Sequence, residues 1–317
     1  MQELLLSWRV HMKFPNTFNT RTERIEMWYE QIKDFLTNEK LLDLMKQFDF
    51  SPDTNLPVLQ LLSEVKDFTE KNWSFRRNGG ERTSVTDTDQ KVLNCTELLI
   101  ETAEELGLIK TEEKEEKTYD YIFPLGGFRA ATYDRINWSK KYYGKGKIVA
   151  LTGHREIQNI ENPYLEYVPT ERLEHCNEYL TACYAIEDVF GCNIYQENIE
   201  LKQESQGLMR KYKDDLYVLC APTPAGKIRA NTLETLEYWK ELFCSEPHTS
   251  ILCITSPIYT SYQLAALAGF AIENELLLDF EACGECKKRN SVITNYLQEI
   301  KGTIDAFQRF AEKYPKE

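Results

Sequence analysis

The run Tyr119-Asp120-Tyr121-Ile122-Phe123-Pro124-Leu125-Gly126-Gly127 ends on a pair of glycines. The next apolar run, Lys147-Ile148-Val149-Ala150, ends on Leu151-Thr152-Gly153-His154-Arg155-Glu156. The segment between them, Phe128–Tyr143, reads as an amphipathic helix. Strand, helix and strand, with a glycine turn after each strand, predict a βαβ unit with both turns at the carboxyl edge of a parallel sheet. There, small residues let a backbone approach a ligand, and the following helix turns its positive end toward the same point.

The pattern continues toward the C-terminus. Apolar runs at Leu216–Ala221, Ile251–Thr255 and Leu276–Phe280 alternate with helical segments at Glu171–Phe190, Asn231–Phe243 and Ser261–Phe270, and a long amphipathic helix spans Ser291–Tyr314. This alternation predicts an α/β fold, a mostly parallel sheet with helices on both faces. Toward the N-terminus the texture differs. Ile25, Trp28, Tyr29, Ile32, Phe35 and Leu36 recur at helical spacing, and Leu41, Leu44, Met45 and Phe48 continue it up to the break at Ser51-Pro52-Asp53. Leu56–Phe68 and Lys91–Leu106 are further helical segments, the latter with Gly107 as its C-terminal stop. The charged tract Lys110–Lys117 reads as a solvated linker. The expected organisation is a helical region over residues 1–116 and an α/β domain over 117–317.

Composition narrows the function classes. The chain has 317 residues, 42% hydrophobic and 28% charged, enough for a sizeable core. Thirty-eight basic against 51 acidic residues leave a net charge of −13, which argues against nucleic acid as a partner. No apolar run approaches the length of a membrane span, and the first residues carry Glu3 where a leader peptide carries a base. Nine cysteines, with Cys220 and Cys253 inside apolar runs, fit a reducing compartment. The expected location is cytoplasmic.

Five turns carry the candidate chemistry. Gly126 and Gly127 with Arg129 suit a phosphate or carboxylate, Arg135 adding charge, although an ordinary βα turn looks the same. The run lacks the GxGxxG fingerprint, so NAD is not inferred. Thr152, Gly153, His154, Arg155 and Glu156 crowd four polar side chains into one turn. His154 and Glu156 are the acid/base candidates, and His154 reads equally well as a loop histidine. In Ala221–Thr232, Lys227 and Arg229 suggest an anionic partner, and Asn231 and Thr232 either contact it or cap the next helix, Asn231-Thr232-Leu233-Glu234 resembling a capping box. Thr255 and Ser256, followed by Tyr259, set hydroxyl groups past another strand. Arg82, in the loop Arg76–Arg82, is positioned like a residue of a lid over an anion or of a plain polar loop. Cys283-Gly284-Glu285-Cys286 is a lone CxxC without the further ligands that a zinc site needs.

The order of Gly126-Gly127, Thr152-Gly153, Asn231-Thr232 and Thr255-Ser256 resembles the SanA/YdcF-like family over about residues 118–281. The resemblance implies a Rossmann-like three-layer sandwich with a small-molecule pocket at the strand ends, and it brings S-adenosylmethionine into view as a ligand. Tyr259 and Tyr262 stand where that family carries His and Arg. The expected function is binding of a nucleotide-like or other anionic small molecule at the carboxyl edge. The alternatives are a non-catalytic sensor or interaction protein using the helical region, and a metal-dependent phosphoester hydrolase.

Overall fold

The computed structural model describes residues 12–15, 20–75, 90–110, 117–157, 176–192, 207–212, 215–227, 229–243, 246–283 and 292–315, with 194–200 as backbone alone. Arg82, most of the charged tract at 110–117, and Cys286 lie outside the described residues. The elements in chain order are α1 (Arg21–Leu36), α2 (Glu39–Lys46), α3 (Val58–Asn72), α4 (Gln90–Asn94), α5 (Thr96–Glu105), β1 (Tyr121–Pro124), α6 (Arg129–Ser139), β2 (Lys147–Thr152) and α7 (Glu178–Phe190). There follow β3 (Ile194–Glu200), β4 (Leu208–Tyr212), β5 (Leu216–Cys220), α8 (Thr232–Phe243), β6 (Ser250–Thr255), α9 (Thr260–Glu273), β7 (Leu277–Ala282) and α10 (Thr294–Lys313). The chain divides into two compact units: Met1–Glu112 with Pro257–Glu273 and Gly284–Glu317, and Glu113–Ser256 with Asn274–Cys283. The helices α9 and α10 group with the N-terminal helices.

The helical unit shows why. Thr20 opens α1 with a capping box, its hydroxyl accepting from the Glu23 N–H while Glu23 accepts from the Thr20 N–H. The predicted apolar stripe is buried: Trp28, Tyr29, Ile32, Phe35 and Leu36. Its partner is α10, where Phe307 and Phe310 stand edge-on to Trp28 at centroid distances of 6.1 and 6.2 Å, and the Tyr29 hydroxyl donates to the Tyr314 carbonyl at 2.6 Å. Lys91–Leu106, expected as one helix, is broken at Cys95 into α4 and α5. Gly107 then ends α5 at φ 73°, with the Leu108 N–H bonded to the Ala103 carbonyl at 2.7 Å, the Schellman arrangement that favours glycine.

In the second unit the strand order is β3-β4-β5-β2-β1-β6-β7. The five strands from β5 to β7 are parallel, and β4 and β3 extend them as an antiparallel hairpin that the apolar runs did not announce. Strand periodicity sends alternate residues to opposite faces. On one face Ile122, Ile148, Ala150, Val218 and Ile254 pack with Tyr133 and Ile136 of α6 and with Ala182, Cys183 and Ile186 of α7. On the other, Tyr121 and Phe123 meet Trp239 of α8 at 4.9 and 5.1 Å. An anchor lies on β7: Glu281, fully buried, accepts from Trp138, Lys141 and Tyr142 at the end of α6 and just beyond it. No helix among the described residues is long and apolar enough to cross a membrane.

Candidate functional site at the carboxyl edge of the sheet

The strand order reverses at β1, which has β2 on one side and β6 on the other. The ends of these three strands bring together Leu125-Gly126-Gly127, Thr152-Gly153 and Thr255-Ser256. An isolated parallel bridge between Leu125 and Leu151 carries the pairing one step past β1, and the Gly126 N–H donates to the Leu151 carbonyl at 2.7 Å.

The centre of the arrangement is Glu178, absent from the sequence candidates. Residues 155–157 run antiparallel to 176–178: Glu156 bridges Asn177, and the Glu178 N–H donates to the Arg155 carbonyl at 2.8 Å. Asn177 caps α7 through the Leu180 N–H at 2.8 Å. This local pairing sets the Glu178 carboxylate beside the Arg155 guanidinium, Nε to Oε2 at 3.4 Å. Arg229, from the loop before α8, reaches the same oxygen at 3.4 Å. Burial pushes the Glu178 carboxyl above the usual carboxylate range, against the opposing pull of Arg229, Arg155 and Arg135.

Two arginines also hold the glycine turn by its carbonyls. Arg135 of α6, almost wholly buried, donates through Nη1 to Leu125 O and Gly126 O, both at 2.6 Å, and through Nη2 to the Ser256 hydroxyl at 3.1 Å. Arg155 donates to Gly127 O at 3.2 Å and lies 5.2 Å over the Phe128 ring. Gly126 has no room for a side chain: a Cβ would overlap Glu178 Oε1 and stand 2.8 Å from Leu151 O. The glycine is required by the approach of Glu178, and its own N–H is engaged within the sheet.

The remaining candidates divide. Arg129 is buried at the first position of α6. The Thr152 hydroxyl turns to Leu219 O of β5 at 3.0 Å. A Cβ on Gly153 would lie 3.4 Å from Ala230 O, so the second turn and the loop before α8 are in close contact. His154 is half-buried and Glu156 exposed. Asn231 forms the anticipated capping box with Glu234, their reciprocal bonds being 3.0 and 2.7 Å, and Thr232 is the first residue of α8. Lys227 pairs with that same Glu234. Thr255 is fully buried, and its hydroxyl has no hydrogen-bond partner among the described residues. Tyr259 closes a 3-10 turn, Pro257–Tyr259, in the helical unit. Among the described residues no group of three or more His, Cys, Asp or Glu is placed to hold a metal ion. Cys283 is half-buried.

The family model for the Rv3785 N-terminal domain matches residues 19–107. No curated protein and no solved structure matches the chain. The match overturns the resemblance to the SanA/YdcF-like family: the family found is a different one, and it covers α1–α5 rather than the sheet. The residues behind that resemblance have local reasons to be there. Gly126 makes room for Glu178, the Thr152 hydroxyl bonds β5, and Asn231 caps α8. With the resemblance goes the particular ground for S-adenosylmethionine.

Proposed function

We propose that the sheet unit binds a small anionic, nucleotide-like molecule at its carboxyl edge, outside β1. In chain order its parallel strands run third-second-first-fourth-fifth across the sheet, and with α6 and α7 on one face and α8 on the other we read the unit as a Rossmann-like three-layer sandwich. In open α/β sheets, ligands favour the crevice where the strand order reverses.

The observation that carries the reading is Arg229. A guanidinium has five N–H donors in a rigid fork suited to carboxylate or phosphate. Its described bonds go to Glu178, yet its side chain stays 38% exposed, against 4% for that glutamate. Glu178 thus holds a donor-rich cation without enclosing it, which suits Arg229 to an anion arriving at this edge. Thr255, on the adjoining strand end, supplies a hydroxyl that has no hydrogen-bond partner among the described residues. Lys227, paired with Glu234, is not part of the reading.

The test is a calorimetric titration of AMP and of inorganic phosphate into the full chain and into Arg229→Ala. A charge-assisted hydrogen bond contributes roughly 1.5–3 kcal/mol, so the substitution weakens AMP roughly 10- to 100-fold. The full chain is needed, because removing residues 1–116 strips α10 of its Trp28 and Tyr29 contacts.

A further inference from the structure

The first turn of α9 holds two buried oxygens that stand out. Thr260 Oγ1 and Gln263 Oε1 are shut off from solvent and have no hydrogen-bond partner among the described residues. Gln263 as a whole is 6% exposed. Buried polar groups in native interiors are nearly always satisfied, and an unsatisfied one lowers stability. Residues three apart share a helix face. Helical side chains lean toward the N-terminus, so the Gln263 carboxamide lies back over the first turn, at the positive end of a helix of 14 residues.

The neighbours on this turn are otherwise engaged. The Ser261 hydroxyl donates to Leu106 O at 3.1 Å. The Tyr262 ring lies along α10, where a Cβ on Gly302 would be 3.4 Å away. Thr260 is only half-buried as a residue, which leaves a way in from solvent.

We propose that this turn is a second binding site, independent of the sheet edge, for an oxyanion with a hydroxyl group beside it, of the class of small polyol phosphates. The oxyanion accepts from the Thr260 hydroxyl and faces the positive end of α9. The adjacent hydroxyl donates to Gln263 Oε1. The turn Pro257–Gln263 contains no Lys or Arg, so recognition rests on these neutral groups.

Glycerol 3-phosphate, inorganic phosphate and glycerol, each titrated into the full chain, test the proposal. Glycerol 3-phosphate is expected to bind roughly fivefold tighter than phosphate, the effect of one added hydrogen bond. Gln263→Met removes that advantage, Thr260→Val weakens both phosphate compounds, and Arg229→Ala changes neither. Because Thr260→Val replaces a buried oxygen without a partner among the described residues with an apolar group, its melting temperature holds or rises. Equal affinities in the wild type and Gln263→Met, or no saturable binding of glycerol 3-phosphate, overturn the proposal. Binding lost in Arg229→Ala alone also overturns it, while leaving the sheet-edge reading intact.

Discussion

Gly126→Ala probes the packing at the end of β1. Gly126 is not among the glycines with positive φ, so alanine can adopt its backbone conformation. By the unfolded-chain argument alone, the change would stabilise by about 0.4–1 kcal/mol. Space argues the other way. The new Cβ overlaps Glu178 Oε1 and sits 2.8 Å from Leu151 O, the carbonyl that accepts the Gly126 N–H. Overpacking of this kind costs about 1–3 kcal/mol. If Glu178 moves to relieve it, the 3.4 Å pairs with Arg155 and Arg229 loosen, and disrupting a buried ion pair is strongly destabilising. The net expectation is a loss of about 2 kcal/mol, or a melting temperature lower by roughly 4–8 °C at the sensitivity of chains of about 150–250 residues. Urea and thermal denaturation of the wild type, Gly126→Ala, Glu178→Ala and the double variant measure it as a cycle. In the Glu178→Ala background the alanine at 126 should cost about 1 kcal/mol less, because one of its two clashes is gone. A neutral or stabilising Gly126→Ala, or a cycle without coupling, refutes the packing argument.

Other perturbations test other parts of the account. Glu281→Ala leaves the Trp138, Lys141 and Tyr142 donors without their acceptor and should cost about 3–5 kcal/mol in denaturant titration, as breaking a buried charged network does. Asn231→Ala removes the side-chain bond to the Glu234 N–H and should cost about 1 kcal/mol. Burial pushes the Cys183 thiol up to about 11 and the Cys220 thiol up to about 12. Unfolded thiols ionise near about 8.5, so above that pH the unfolded chain releases protons that the folded chain keeps, and stability falls as pH rises through this window. At pH 8, native alkylation should spare Cys183 and Cys220, and denaturation should expose both to labelling, as peptide mass mapping would show.

Much of the sheet was legible in sequence because parallel strands buried on both faces are short apolar runs. Ile148–Leu151 and Ile251–Thr255 sit within β2 and β6 almost residue for residue. The hairpin was not legible, because β3 is Ile-Tyr-Gln-Glu-Asn-Ile-Glu, an edge strand with no apolar run to mark it. The placement of α10 was hidden for a different reason. Its stripe of Leu297, Ile300, Ile304, Phe307 and Phe310 declares that one face is buried, but not against what. At the site, Gly126 was visible as a glycine closing a strand, and Arg155 as a charge in a turn crowded with polar side chains. Glu178 did not stand out, since the helical segment read over Glu171–Phe190 puts it in a helix interior, where an acid reads as part of a solvated face. Only the antiparallel pairing of 155–157 with 176–178 turns it into the partner of two arginines.

The central claim is that Arg229, held by Glu178, receives an anion at the carboxyl edge. The most direct measurement compares the AMP affinity of Arg229→Ala with that of Lys227→Ala. Both remove one positive charge from the same loop, but only Arg229 is tied to Glu178, while Lys227 is paired with Glu234. The account predicts that Arg229→Ala weakens AMP roughly tenfold or more and that Lys227→Ala changes it less than about twofold. Equal losses in the two variants, or AMP binding that is the same in Arg229→Ala as in the wild type, would contradict it.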